Sequence, residues 1–191
     1  MNTKKVYLLF SDTGSILTRA INIYTKSTLN HASIAFDPDL IDVYSFGRKR
    51  ARNPFVGGFV KENVREDFFQ SAVCAIYSFS ISNTEYVQLR TAVEQFEHQK
   101  SNYKYNFLGL FAVALNKEFQ RKNTFFCSEF IAALLSECGI YKFDKPNCLM
   151  KPQDLRDWQQ LQLVYRGILG AYPHFMIEPD NSTLIQEINK V

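Results

Sequence analysis

Asn123-Thr124-Phe125-Phe126-Cys127-Ser128-Glu129-Phe130-Ile131-Ala132-Ala133-Leu134-Leu135-Ser136-Glu137-Cys138-Gly139 carries the sharpest signal in the chain. Cys127, Phe130, Ile131, Leu134, Leu135 and Cys138 recur at the three-and-four spacing of a helix that buries one face, and Gly139 is a natural stop. Thr124 is the candidate N-cap. That start leaves Cys127 among the unpaired amides of the first turn, where the helix dipole favours a thiolate. Two readings compete. Cys127 is either a nucleophile or a small core residue on an apolar stripe, the common fate of an unpaired cysteine. Cys138, on the same stripe, reads as core. Glu129, two residues on from Cys127, points to a different side of the helix and complements the dipole rather than adding a second acid.

Around this helix the chain alternates strand-like and helical runs. Val6 to Phe10 is short and apolar and ends in the turn residues Ser11 to Gly14, which predicts a buried strand; Ile16, Leu17, Ala20, Ile21 and Tyr24 then predict a helix over 14–26. Residues 29–36 and 40–46 form two strand-like runs around Asp37-Pro38-Asp39, a hairpin whose aspartates can bond nearby amides. The segment 47–58 is polar, basic and turn-rich and is expected as an exposed excursion. Strands are expected at 59–62 and 72–81. A helix opens at Ser82-Asn83-Thr84-Glu85 and runs to about Gln99, a second covers 103–115, a short one starts at Lys151-Pro152, and a late strand covers 161–165. The pattern is α+β: an antiparallel sheet packed against helices gathered to one side, in a single domain over 1–191.

Bulk composition narrows the classes. With 191 residues, 46% of them hydrophobic, the chain can bury a sizeable core, and a net charge of +3 without a long basic stripe gives no case for nucleic acid. The four cysteines form no CxxC pair and have no histidines at metal spacing, so they read as reduced thiols, with no metal and no cofactor expected. The start of the chain has too few apolar residues for a signal peptide. The run 107–115 is less than half the roughly 20 residues that cross a bilayer and is expected as a core helix. A cytoplasmic protein with no stable membrane insertion is the expectation, its partner a small peptide or amide substrate and its oligomeric state open.

A cysteine nucleophile needs a base, normally histidine, oriented by a third group. His98 sits among charged residues at a helix end and His174 beside Pro173, whereas His31 begins the strand-like Ala32-Ser33-Ile34-Ala35-Phe36, a rigid support that suits a base. A structural histidine satisfied by the backbone is the competing reading. If the hairpin loop is 37–39, Phe36 pairs with Leu40 and His31 faces Ser45; a loop one residue longer puts Tyr44 there instead. Ser45 is the first choice of third residue and Tyr44 the reserve. Arg48, heading Arg48-Lys49-Arg50-Ala51-Arg52, could hold an anionic group at the mouth or be part of a solvated loop. Tyr103, with Tyr105, Phe107, Phe111, Phe125 and Phe126, could wall a substrate pocket or belong to the core.

A strand with Asn30-His31-Ala32-Ser33-Ile34-Ala35 ahead of a helix opening Phe126-Cys127-Ser128-Glu129-Phe130 resembles the circularly permuted papain-like cysteine amidases of the NlpC-type superfamily, in particular their YiiX-like branch. The resemblance spans about 13–155 and takes in Arg19 and Thr25 before the histidine strand, Tyr103 and Tyr105 ahead of the cysteine helix, and Pro152 to Leu155 after it. It implies a permuted papain-like fold in which Cys127 attacks a carbonyl, His31 accepts and returns the proton, and the Cys127 amide helps bind the oxyanion. Thr25, Tyr44, Arg48 and Tyr103 are then the candidate substrate-binding residues. The implied activity is cleavage of an amide bond in a small peptide, an amino-acid conjugate or a cell-wall-derived fragment. A thiol acyltransferase or lipid-directed hydrolase, and a binding module without turnover, are the alternatives. The chain departs from the family pattern at Ser45, where a carboxylate, amide or histidine is more usual.

Overall fold

A computed structural model of the chain describes residues 2–12, 28–48 and 57–175. The helix expected over 14–26, with Arg19 and Thr25, and most of the 47–58 excursion lie outside them. Val6, Leu8, Leu9 and Phe10 are fully buried. A run covered on both faces belongs inside a sheet, and β1 (Thr3–Asp12) pairs antiparallel with β2 (His31–Ala35) on one side and with β5 (Val73–Ser82) on the other. With β3 (Val43–Arg48), β4 (Gly57–Glu62) and β8 (Gln162–Ile168), the order is β4-β3-β2-β1-β5-β8, antiparallel throughout.

Alternation along the strands divides the core in two. Val6, Leu8, Phe10, Ile34, Tyr44 and Phe46 meet Leu89 and Val93 of α2 (Asn83–His98) and Phe130, Ile131, Leu134 and Leu135 of α4 (Cys127–Glu137). Tyr7, Leu9, Ala35, Val43 and Ile76 form a second cluster with Val64, Phe69, Leu169 and Tyr172. The long helices do gather on one side, as expected. The opposite face is closed by α1 (Asp67–Gln70) and the turn at Leu169–Ala171, which the sequence reading did not anticipate.

Local chemistry explains where the helices begin and end. The Ser82 hydroxyl accepts the Glu85 amide at 3.2 Å and the Glu85 carboxylate accepts the Ser82 amide at 2.8 Å, a reciprocal cap for α2. The helix expected over 103–115 is α3 (Phe107–Ala114); residues 104–105 instead form β6 (Lys104–Tyr105), parallel to β7 (Thr124–Phe125). Nor is α3 wholly a core helix: Val113 is buried, while Leu108 is 56% exposed. Pro152 opens α5 (Pro152–Arg156), where the Asp154 carboxylate accepts the Lys151 amide at 2.6 Å.

Thr124 is not the cap of the cysteine helix. It lies in β7 and its hydroxyl donates to Arg121 O, while Phe126 occupies the N-cap and Cys127 is the first helical residue. At the other end Gly139 has φ +68, Ile140 N–H donates to Leu135 O and Gly139 N–H to Ser136 O, the two bonds of a Schellman closure. A Cβ at Gly139 would meet nothing within 4 Å. Gly139→Ala therefore isolates the backbone cost of the left-handed conformation and is expected to lower unfolding free energy by about 1–2 kcal/mol, measured by urea denaturation.

Candidate active site

The hairpin between β2 and β3 decides what stands beside His31. Its loop is longer than the three residues 37–39: Phe36 N–H donates to Asp42 O, and Asp37 accepts the amides of Ile41 and Asp42 at 2.9 and 2.8 Å. Leu40 takes φ 54, and its buried side chain anchors the turn. The ladder pairs Ile34 with Tyr44 and Ala35 with Val43. This register is two residues from the expected one, so Ser45 keeps the predicted facing but lies opposite Ser33 by alternation, and Gly47 falls across from His31. Tyr44 points the other way, into the aromatic core against Phe59 and Phe36. It is neither the third residue nor a lining residue of the site.

On the face shared by His31, Ser33, Ser45 and Gly47 stands a residue that the sequence reading passed over. Glu62, the last residue of β4, accepts the His31 Nε2–H at Oε1 over 2.7 Å. Ser45 Oγ donates to the same oxygen at 2.7 Å and Ser33 Oγ donates to Oε2 at 2.5 Å. Ser45 thus positions the carboxylate instead of orienting the imidazole itself. A carboxylate at the end of an expected strand was the available signal; using it required the β3–β4 register, Val43 opposite Glu62, which the polar stretch between the strands concealed.

Gly47 makes this contact across β3 feasible. A Cβ there would lie 3.2 Å from Ser45 Oγ and 3.5 Å from both Glu62 Oε1 and the His31 ring. A larger side chain would press between base and carboxylate.

Burial amplifies the pair. The His31 and Glu62 side chains are only 18% and 8% exposed. Burial opposes charge on His31, but the Glu62 carboxylate and hydrogen bonding to Cys127 and Glu62 outweigh it, and its pKa is pushed up to about 10. Burial likewise works against charge on Glu62. The adjacent imidazolium and the donors from His31, Ser33 and Ser45 nonetheless hold it below the ordinary carboxylate range.

Cys127 meets this pair at the end of the sheet. Phe130, Ile131, Leu134 and Leu135 fix α4 against the strands, and the tip of the helix brings Cys127 Sγ to 3.8 Å from Asn30 O, immediately before His31. The two residues adjoin, Sγ resting against the carbonyl that joins Asn30 to His31, and Cys127 is among the groups that raise the His31 pKa. Glu129 is buried and its Oε2 accepts the Phe126 N–H at 3.3 Å, the dipole-complementing role expected of it. Burial raises its pKa to about 7, partly offset by hydrogen bonds from the Phe126 amide and Asn106. Ser128 Oγ donates to Met150 O and ties the same turn to the following segment.

Tyr103 packs in the aromatic cluster with Phe46, Phe96 and Phe125. Arg48 ends β3 opposite Gly57, and Thr25 lies outside the described residues. His98 is exposed at the end of α2, and His174 pairs with Asp39 at 3.0 Å. The chain matches no protein-family model, no curated protein and no solved structure.

The elevated His31 pKa has a defined consequence for stability. The pair stabilises the fold fully below the ordinary histidine value of 6.5 on the His31 side, and that contribution is lost as pH rises towards about 10. The Glu62 contribution is present above the ordinary carboxylate value of 4.5 and is lost as pH falls below it. We expect His31 ring resonances in an NMR titration to remain those of imidazolium at pH 8, and Glu62→Gln to move the transition below 6.5, where uncompensated burial drives it. Titration of wild-type His31 near 6.5 would contradict the pairing.

Proposed function

We propose that the protein is a cysteine-dependent amide hydrolase with a circularly permuted papain-like fold. One observation carries this reading: a cysteine at the first position of a buried helix stands beside the backbone of a histidine whose Nε2 is held at 2.7 Å by a buried carboxylate. Cysteine, histidine and an orienting acid are the components that thiol acyl transfer requires. Glu62 also supplies the carboxylate that Ser45 lacked, which favours turnover over a binding module.

In the proposed reaction Cys127 reacts as the thiolate beside a His31 imidazolium. The sulfur attacks the amide carbonyl carbon, forming a C–S bond and a tetrahedral oxyanion that the Cys127 backbone N–H stabilises at the helix N-terminus. His31 gives its proton to the departing nitrogen, the C–N bond breaks, and an amine leaves with a thioester on Cys127. Neutral His31 then takes a proton from water, whose oxygen attacks the thioester carbonyl. Collapse releases the carboxylic acid and restores the thiolate and imidazolium. Glu62 holds the ring and stabilises its charge throughout. The expected substrates are a small peptide, an amino-acid conjugate or a cell-wall-derived fragment, acted on by a cytoplasmic enzyme.

The other thiols provide an internal control. Burial raises Cys74 to about 11 and also raises Cys138 and Cys148 above the ordinary thiol value. Iodoacetamide at pH 7, followed by peptide mapping, is expected to label Cys127 first, and His31→Ala to slow that labelling by at least about tenfold. Labelling of Cys127 no faster than Cys74 or Cys148 would refute the nucleophile assignment. With a substrate identified by acyl-enzyme mass spectrometry, Glu62→Gln is expected to reduce kcat by roughly 10²–10⁴ with the thiol still present. A long-chain acyl mass on Cys127 would replace amide hydrolysis with lipid acyl transfer.

A further inference from the structure

Helix α3 has no polar side chain anywhere on it. Residues 107–115 read Phe-Leu-Gly-Leu-Phe-Ala-Val-Ala-Leu. A helix apolar all round is ordinarily enclosed on every side, by protein or by lipid. Here the inner side, marked by Gly109 and Val113, is buried, whereas Leu108 and Leu115 are 56% and 63% exposed. Leu108 lies in the first turn of α3 and Leu115 directly follows its last residue, so exposed leucines mark both ends of the helix. Phe119, in the segment that follows, is 36% exposed. The outward side is as apolar as the inner one.

Charge around this helix is predominantly positive. Lys104 precedes it and Lys117, Arg121 and Lys122 follow it, all exposed, against Glu118 as the single acidic residue of 104–122. Among the described residues none of these four cations is in an ion pair. No helix of the described residues is long and apolar enough to cross a membrane. A short apolar helix flanked by unpaired cations suits binding in the plane of an anionic interface, with leucines in the acyl boundary and cations at the headgroups.

We propose that α3 and the basic segment 117–122 dock the protein on the surface of an anionic lipid bilayer. The inference does not depend on the hydrolase reading, but it places that site: Asn106 N–H, directly ahead of α3, donates to Phe125 O, two residues before Cys127. Docking through α3 brings the nucleophile's end of the fold to the lipid surface.

The test is co-sedimentation of the full chain with phosphatidylcholine vesicles, with and without phosphatidylserine, over a salt series. Wild type is expected to bind the anionic vesicles at least about tenfold more tightly and to release as salt rises. Leu108→Ser with Leu115→Ser, and separately Lys117→Glu with Arg121→Glu, are expected to lower that binding at least about tenfold with an unchanged thermal transition. Cys127→Ala is expected to bind like wild type, which separates docking from chemistry. Equal binding to both vesicle types, binding to neither, or a concentration-dependent dimer abolished by the leucine substitutions would overturn the proposal, the last by assigning this face to a second copy. Wild-type salt dependence remains decisive if a double variant fails to fold.

Discussion

The 2.7 Å contact between His31 Nε2 and Glu62 Oε1 joins two strands that are not neighbours. It spans β3, so it exists only if β2, β3 and β4 hold one register. Both groups are nearly enclosed, where an ion pair is costly to form and more costly to break: removing one partner of a buried pair commonly loses about 3–5 kcal/mol. The carboxylate offsets that cost by collecting donors, from Ser33 and Ser45 as well as His31. A slip of one residue in β3 would turn Ser45 away, bring Tyr44 into its place and leave Glu62 short of a donor in a buried site.

A second constraint holds the thiol at this pair. Helix α4 is fixed along its length by aromatic and aliphatic packing, with Phe130 against Phe46, Phe59 and Phe96. Its first turn is fixed separately, by Glu129 on the Phe126 amide and Ser128 on Met150 O. The helix that presents the cysteine therefore has little freedom to rotate or slide. Catalytic geometry depends on such support, since small displacements of a nucleophile are expensive in rate.

Local signals made much of this legible in advance. The three-and-four spacing from Cys127 to Cys138 with Gly139 beyond it gave the helix and its end; Ser82 and Glu85 gave the start of α2; Val6 to Phe10 gave the buried central strand; and Pro152 marked the start of α5. His31 was separable from His98 and His174 by its small and apolar neighbours. Each of these readings draws on residues within a turn or a strand of one another. The weaker ones failed where two segments had to be aligned: Thr124 was drawn into β7 by pairing with Lys104, and the β2–β3 loop was lengthened by Asp37 capping the amides of Ile41 and Asp42.

By itself the sequence determined the α+β composition, the order of the histidine strand and cysteine helix, and the choice of Cys127 and His31 as candidate thiol and base, because periodicity and capping are properties of contiguous residues. Only the tertiary structure decided the third member of the site. Glu62 reaches His31 because three strands align and Gly47 leaves space between them, and strand register is fixed by packing among segments far apart in the chain. The same holds for the outward side of α3. Its eight apolar residues announce a helix that needs covering, but which side is left open depends on where the rest of the fold ends.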